Sequence, residues 1–225
     1  MAIEPLAVAA CTATNALGHG VAASLAALRR GESGLRPCDF EDAVLDTWIG
    51  RVAGLEEEPL GGEFATFDCR NNRLARRGLE QDNFAAAVRD ARVRYGADRI
   101  GVFVGTSTSG IGATEHAYRQ RDSVTGGLPE TFDYQHTHNV FSVTDFTRRW
   151  LGLAGVALAI STACSSSAKA FASAWRHMRA GFCDAAVVGG VDSLCLTTLY
   201  GFNALGLASC RPCRPWDAER DGLNI

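Results

Sequence analysis

The chain has 225 residues, 47% of them hydrophobic, and a formal net charge of -3 at pH 7. Such a composition excludes a disordered or fibrous chain, and a charge this close to neutral argues against nucleic acid or a membrane surface as the main partner. The apolar residues 6–10 are too few for a signal or membrane helix, and no basic residue precedes them. We therefore expect a cytoplasmic protein whose eight cysteines are reduced.

The first third of the chain predicts a strand, a helix and an irregular segment. Residues 6–10 form a short apolar run that is typical of a buried strand. Residues 21–30 have the spacing of an amphipathic helix, which Gly31 is expected to end because glycine adopts a positive φ at little cost. Residues 36–66 are rich in turn formers, so we expect no long regular element there.

The middle of the chain predicts a helix, a strand and two loops. Residues 79–95 have a helical pattern. Residues 100–104 are a continuous apolar run of strand length, which indicates a strand covered on both faces. Residues 105–112 are a turn of Gly, Ser and Thr, and residues 122–138 form a second loop.

The last part of the chain alternates helices with strands. Residues 140–151 predict a helix, residues 156–160 a second buried strand, residues 165–180 a helix closed by Gly181, and residues 185–191 a third buried strand. This alternation predicts a parallel or mixed sheet covered by helices. No repeat and no boundary divides the chain, so we expect one α/β domain.

Cys164 stands where the second of these strands ends and the next helix begins, among small residues. This is the spacing of a nucleophile elbow, in which the helix N-terminus favours the thiolate and its N–H groups donate to an oxyanion. Cys164 is also the only cysteine that we place between a buried strand and a helix start. A small buried residue fits the same spacing, so the pattern alone leaves both interpretations open.

Four segments resemble, in the same order, the β-ketoacyl-acyl-carrier-protein synthases. Residues 161–166 (STACSS) are similar to the active-site motif of that family, and residues 105–112 (GTSTSGIG) to its glycine-rich pocket loop. Residues 13–34 resemble its first strand, turn and helix. Residues 214–222 (RPWDAERDG) are similar to a signature of the elongating synthases that thiolases and chain-initiating synthases do not share in this form.

The resemblance implies a thiolase-like α/β fold with a mixed sheet covered by helices, of which residues 1–225 are the N-terminal synthase domain and the first of two pseudo-repeats. It also implies a reaction. Cys164 takes an acyl group from a carrier thioester, and malonyl-carrier then loses CO₂ and attacks the acyl-cysteine, in fatty acid or polyketide-type elongation. Ile111 and Phe202 match positions that line the acyl pocket in relatives, with core packing as the alternative.

The implied partners are the acyl carrier protein, which bears acyl or malonyl phosphopantetheine, and a second synthase subunit in a homodimer or heterodimer. No cofactor and no metal are implied, because the phosphopantetheine belongs to the substrate. Arg70, Arg73, Arg76 and Arg77 fall within eight residues that contain no acid, near the place where the family presents a basic surface to the carrier. A docking role and a solvated helix face both remain open.

In the family, two histidines and a lysine from the C-terminal half complete the site, and we expect that half to be absent from residues 1–225. This half alone is then expected to accept an acyl group but not to condense it. The histidines present do not replace the missing ones: His177 lies on the same predicted helix as Cys164 but about 20 Å further along its axis. The other histidines are expected to be surface or packing residues; they are His19, His116, His136 and His138.

Several alternatives accompany these expectations. His136 and His138 lack a cluster of further ligands for a metal site, and Cys210 and Cys213 lack the second pair that a zinc site needs, so we expect plain loops. A silent partner subunit similar to the chain-length factors is disfavoured because those proteins lack the cysteine. A degradative thiolase is disfavoured by residues 214–222. A truncated, non-catalytic half that serves only in interaction or folding stays open.

Overall fold

The computed structural model describes residues 5–225. Its strands are β1 (Thr14–Asn15), β2 (Gly18–His19), β3 (Leu35–Pro37), β4 (Trp48–Gly50), β5 (Ile100–Gly105), β6 (Ala157–Ile160) and β7 (Ala185–Gly190). Its α-helices are α1 (Val21–Arg29), α2 (Arg70–Leu79), α3 (Phe84–Tyr95), α4 (Ile111–Arg119), α5 (Ser142–Trp150), α6 (Ser166–Arg179) and α7 (Leu196–Ala204). Two 3-10 helices span Gly62–Phe67 and Ala97–Arg99, and a π-helix spans Tyr134–His138.

A three-stranded parallel sheet forms the centre of the fold, with its strands in the order β6, β5, β7. Val104 of β5 lies opposite Ala159 of β6 and Gly189 of β7. All six residues of β5 are buried, because α6 packs on one face of the sheet and α3 and α5 pack on the other. The strand that the continuous apolar run of residues 100–104 predicts is therefore confirmed.

Three segments that the sequence predicts as buried strands are exposed or only partly buried: residues 6–10, β6, and β7, in which only Val187 is buried. Residues 6–10 form no strand, and Leu6 and Val8 are 40% and 75% exposed. A strand needs a neighbour for its backbone hydrogen bonds, and no segment of residues 5–225 pairs with this one. The strand β6 does form, but it lies at the edge of the sheet and Leu158 is 37% exposed. The expectation that β6 is buried is therefore wrong for this chain.

Of the helix that the sequence predicts over residues 79–95, the structure forms residues 84–95 as α3, and Leu79 is the last residue of α2. Asp82 and Asn83 separate them in left-handed conformations, with φ of 55° and 56°. The two carboxylate oxygens of Asp82 accept hydrogen bonds from the Val21 N–H, at 3.1 and 2.9 Å, and so cap α1. Local pattern does not reveal this break, because the capped residue lies 61 positions away.

The helices predicted at residues 21–30, 140–151 and 165–180 are confirmed as α1, α5 and α6. Gly31 and Gly181 follow their helices with φ of 69° and 78°, as the sequence predicts for helix ends. The hydrophobic pattern of the sequence does not predict α7, because the apolar residues of this helix are not segregated onto one face.

Residues 36–66 are irregular apart from short elements. The hairpin of β3 and β4 places Ile49 in a second small core with Phe40, Leu196 and Leu199, which attaches this region to α7. Across residues 5–225 there is no helix with the length and apolar character needed to cross a membrane.

Candidate active site

Cys164 lies in the sharp turn between β6 and α6, and it is exposed. Ala163 has a φ of 54°, a left-handed conformation that is uncommon for a residue with a Cβ atom. The Ser166 hydroxyl closes the turn, because it donates to the Ala163 carbonyl at 2.6 Å and accepts from the Thr162 N–H at 2.9 Å. The turn therefore has the strand, strained corner and helix of a nucleophile elbow.

Two glycines allow α6 to approach the end of the sheet closely. A Cβ atom added to Gly105, the last residue of β5, would lie 2.5 Å from the backbone of Ser166 and Ser167. A Cβ atom added to Gly190, the last residue of β7, would lie 2.5 Å from the Cβ of Ser167. Only glycine fits at both positions without displacing the helix. The first turn of α6 therefore rests directly on the carboxyl end of the sheet.

The backbone at Cys164 offers hydrogen-bond donors. In the described part of the chain, the N–H groups of Cys164 and Ser165 form no hydrogen bond of ordinary length and angle beyond the isolated bridge between Thr162 and Cys164, and they precede a helix of 14 residues. The positive end of the helix dipole and free N–H groups both favour negative charge on a nearby sulfur or oxygen atom. This arrangement suits attack by the sulfur on a thioester carbonyl, with the oxyanion held by N–H donors.

Cys164 differs from the other cysteines at helix starts in its exposure, and not in its position between a strand and a helix. Cys195 also lies between a strand, β7, and a helix, α7, so the expectation that Cys164 is alone in that position is wrong. Cys195 is only 1% exposed and contacts the Thr198 hydroxyl, and burial raises the pKa of its thiol. Burial likewise raises the pKa of the Cys69 thiol, to about 11, and keeps it in the unreactive neutral form.

The glycine-rich loop at residues 105–112 lies beside the elbow. The Thr106 N–H donates to the carbonyl of Ile160, the last residue of β6, at 3.1 Å. Asp192, which follows β7, accepts a hydrogen bond from the Ser107 N–H at 2.7 Å. Asp192 is not among the residues predicted from the sequence. The signal that could have found it is an acidic residue two positions after a predicted strand, at the edge of the sheet where Cys164 also lies.

The two predicted acyl-pocket residues lie on neighbouring helices. Ile111 begins α4 and Phe202 belongs to α7, and both are half-buried. The Glu115 carboxylate of α4 accepts from the N–H groups of Leu196 and Thr197, at 3.0 and 2.6 Å, and joins the two helices at the start of α7. The pocket role of Ile111 and Phe202 stays a prediction.

The four arginines predicted for carrier docking lie on α2, with most of their side-chain surface covered. Arg73 forms a bidentate ion pair with Asp68, in which both nitrogen–oxygen distances are 2.6 Å. Arg76 and Arg77 both reach Glu58, at 3.2 and 2.7 Å. These contacts attach the loop before α2 to the helix and leave less of the charge free than a solvated basic patch would have.

Arg70 is as well covered as Arg76 and Arg77. It pairs with Glu56 and lies over the ring of Phe40, and burial, helped by the nearby guanidinium of Arg51, lowers its pKa to about 10. A cavity of about 710 Å³ opens beside Arg70, between α2, α4 and residues 129–137. Cys164 does not line this cavity, so it is separate from the elbow.

His177 serves the core and does not reach the elbow. Its Nδ1 lies 2.8 Å from the Ser173 carbonyl, and its ring packs on Phe103 and Phe182, with centroid distances of 5.1 and 5.7 Å. His116, on α4, lies 3.3 Å from a Glu41 carboxylate oxygen. His19 lies in the small hairpin of β1 and β2.

His136 and His138 lie in the π-helix, and each has a partner other than a metal. The Nδ1 atom of His136 lies 2.6 Å from an Asp133 carboxylate oxygen. The ring of His138 bonds the Thr114 hydroxyl and stacks on Tyr134 at 5.3 Å. Among residues 5–225 no group of three histidine, cysteine or acidic side chains is placed to hold a metal ion.

The predicted loop at residues 210–213 is confirmed. Cys210 and Cys213 are free thiols in a segment without helix or strand. The Cys213 N–H donates to the Asn224 side-chain carbonyl at 2.6 Å. Residues 214–222 continue as a loop in which Trp216 is 97% exposed, with a φ of 69°.

Comparison with known proteins identifies the family. The family model "Beta-ketoacyl synthase, N-terminal domain" matches residues 4–225. The chloroplastic 3-oxoacyl-[acyl-carrier-protein] synthase I of Hordeum vulgare is 30% identical over 224 residues, which cover 87% of this chain and 45% of that protein. Nodulation protein E of Rhizobium meliloti is 34% identical over 126 residues, covering 56% of this chain and 31% of that protein.

Solved structures agree with this match. A chain of the solved complex between the ketosynthase ApeO and its chain length factor ApeC, from Xenorhabdus doucetiae, superposes with a TM-score of 0.78 at 30% identity, covering 96% of this chain and 55% of that chain. The ishigamide ketosynthase/chain length factor, at 21% identity and a TM-score of 0.77, shares the fold. The chain spans about half the length of these relatives. It has the thiolase-like fold predicted from its sequence, and it belongs to the β-ketoacyl synthase family, whose N-terminal domain it contains.

Proposed function

We propose that the protein is a β-ketoacyl-acyl-carrier-protein synthase, an acyltransferase of fatty acid or polyketide-type chain elongation. The observation that carries this proposal is Cys164: an exposed thiol on a strained turn, at a helix start, with free N–H donors beside it. A cysteine in this setting is suited to accept an acyl group from a thioester.

The first half-reaction is acyl transfer to Cys164. The Cys164 sulfur attacks the carbonyl carbon of an acyl-carrier thioester, and the backbone donors at the elbow stabilise the oxyanion. Collapse of this intermediate breaks the carbon–sulfur bond to the carrier phosphopantetheine, whose thiolate leaves and takes up a proton. The product is an acyl-enzyme on Cys164.

The second half-reaction is condensation. Malonyl-carrier loses CO₂, and the resulting carbanion attacks the acyl-cysteine carbonyl, which forms a carbon–carbon bond and releases the Cys164 thiolate. A developing enolate needs donors near the sulfur, and His177, His136 and His138 are held by other contacts. We therefore propose that groups outside residues 1–225 complete this step.

The proposed partners are an acyl carrier protein and a second synthase subunit. The Xenorhabdus doucetiae structure is a complex of a ketosynthase with its chain length factor, which favours a heterodimer as one arrangement. A homodimer joined through the edge strand β6 is the other, because an unpaired, partly apolar edge is an aggregation hazard unless it is covered. A silent chain-length-factor role is disfavoured by the exposed Cys164. We propose a cytoplasmic location.

Carrier docking at α2 would compete with the carboxylates that its arginines already bind. The variants Arg76→Ala and Arg77→Ala test it through the affinity for acyl carrier protein at low and high salt. Weaker binding by the variants at low salt, with the difference lost at high salt, would support docking. Unchanged affinity would mean that these arginines only attach the loop before α2 to the helix.

Intact-protein mass spectrometry tests the proposed function directly. The protein is incubated with octanoyl-acyl-carrier protein, and we expect a mass increase of one octanoyl group on Cys164. Malonyl-carrier is then expected to remove this group as a β-ketoacyl product only when the groups outside residues 1–225 are also present. Cys164→Ala should abolish both events, and acylation that persists in this variant would refute the assignment.

A further inference from the structure

Asp192 concentrates four hydrogen bonds on one carboxylate oxygen. Its Oδ1 accepts from the N–H groups of Ser107 and Thr108, at 2.7 and 3.0 Å. The same oxygen accepts from the hydroxyls of Thr106 and Thr108, at 3.1 and 3.0 Å. Asp192 therefore joins the end of β7 to the first residues of the glycine-rich loop. A charged acceptor makes stronger hydrogen bonds than a neutral one, so this carboxylate holds that side of the loop firmly.

The opposite side of the loop is held by the backbone around the π-helix. The Ser109 hydroxyl donates to the Asn139 carbonyl at 3.0 Å. A Cβ atom on Gly110 would overlap the Thr137 carbonyl, so the loop and the π-helix are in direct contact. Ser109 is itself in a left-handed conformation, with a φ of 45°. A loop in such a strained conformation keeps it only when its surroundings hold it on both sides.

The loop connects the elbow to α4. It begins at Thr106, whose N–H donates to the carbonyl of Ile160 just before the elbow, and it ends at Ile111, the first residue of α4. The elbow itself is closed by Ser166 and does not depend on Asp192. Loss of Asp192 would leave two backbone N–H groups without their acceptor and would release the loop while the elbow persists.

We propose that Asp192 is a positioning residue that fixes the loop at residues 106–110 as a wall of the acyl site and thereby sets which acyl chains Cys164 accepts. The inference deepens the proposed function and rests on it. An acetyl group ends within two carbons of the sulfur and does not extend along the wall. A longer acyl chain must lie along a nearby surface, and its transfer therefore depends on where that wall stands.

Three variants of the purified protein test this role. Asp192→Ala removes the acceptor, and Asp192→Asn keeps an oxygen acceptor without the charge. Asp184→Ala is the matched control, because Asp184 precedes the same strand at its other end and pairs with Arg99 at 2.8 Å on the surface. Each protein is treated with the acetyl and octanoyl thioesters of N-acetylcysteamine, and acylation of Cys164 is followed by mass. Amide hydrogen exchange of residues 105–112 and of residues 160–168 is measured in parallel.

Asp192→Ala should slow octanoyl transfer at least tenfold more than acetyl transfer, and it should speed exchange at residues 105–112 by at least tenfold. Residues 160–168 should exchange as in the unmodified protein. Asp192→Asn should recover most of the octanoyl transfer, and Asp184→Ala should change neither readout. A merely structural role would slow both thioesters equally and raise exchange in both segments, and that result would overturn the proposal.

The two readouts separate this inference from the proposed function. If the unmodified protein accepts neither thioester, the proposed acyl transfer fails. Faster exchange confined to residues 105–112 in Asp192→Ala would still support the positioning of the loop. If exchange in that segment is unchanged by Asp192→Ala, the carboxylate does not hold the loop, and the inference fails whatever the acylation shows.

Discussion

Gly105 and Ser167 approach so closely that a Cβ atom on the glycine would lie 2.5 Å from the serine backbone nitrogen. The two residues belong to different elements, the end of β5 and the start of α6. Their contact fixes the height of the helix start above the sheet, and therefore the position of Cys164. The reactivity of the thiol thus depends on a residue 59 positions earlier in the chain.

Gly105→Ala is expected to destabilise the protein and to displace the elbow. Overpacking at a rigid backbone contact should lower the free energy of unfolding by about 3 kcal/mol. Urea unfolding measures this loss. Acylation of Cys164 should slow by at least about tenfold, because small displacements of a reacting group are costly. Gly189→Ala is the control, since a Cβ there meets no atom within 4 Å, and it should be nearly neutral. Equal effects of the two substitutions would contradict the role of the close approach.

Cys164 is expected to be the first cysteine modified in the folded protein. Iodoacetamide at pH 7.5 should label it ahead of the other exposed thiols, Cys11 and Cys210, because only Cys164 lies at a helix start with free N–H donors. Peptide mapping after brief labelling measures this order. Preferential labelling of Cys210 or Cys213 would show that the elbow does not activate its thiol.

The buried thiol of Cys69 is expected to make stability fall at alkaline pH. Burial raises the pKa of this thiol from 9.0 to about 11, so the folded state keeps a proton that the unfolded state loses first. The associated stability is fully present below pH 9 and is lost as the pH rises to about 11, by about 2 to 3 kcal/mol.

Urea unfolding between pH 8 and pH 11 measures this effect as the difference between the unmodified protein and Cys69→Ala, which should show a smaller decline. Cys11→Ala, which removes an exposed thiol, should retain the full decline. An identical pH dependence in all three proteins would mean that Cys69 ionises as easily in the folded state as in the unfolded state.

The edge strand β6 is predicted to lie in the subunit interface. A charge in the apolar part of that edge should weaken association, so Leu158→Lys is expected to shift the protein from dimer to monomer in sedimentation velocity. Val93→Lys is the control, because Val93 is 90% exposed on α3 and the substitution should leave the dimer intact. A monomeric unmodified protein, or a dimer that tolerates Leu158→Lys, would place the interface elsewhere.

The sequence by itself determined the elements that depend only on residues close together in the chain. The apolar run at residues 100–104 predicts a covered strand because it has no polar face, and Gly31 and Gly181 predict helix ends because they supply a positive φ. The small residues around Cys164 likewise predict the elbow, since only a short-side-chain segment makes so sharp a turn against a sheet. The family follows from motifs that are contiguous in the chain.

Tertiary structure decided whatever depends on a distant partner. Residues 6–10 have the composition of a strand but no neighbour to pair with in residues 5–225, and Asp82 interrupts a helical pattern because it caps a helix 61 positions away. Burial separates Cys164 from Cys195, although both lie between a strand and a helix. Asp192 gains its role only when the ends of β5 and β7 lie side by side, because parallel strands bring residues that are 84 or more positions apart to one edge of the sheet.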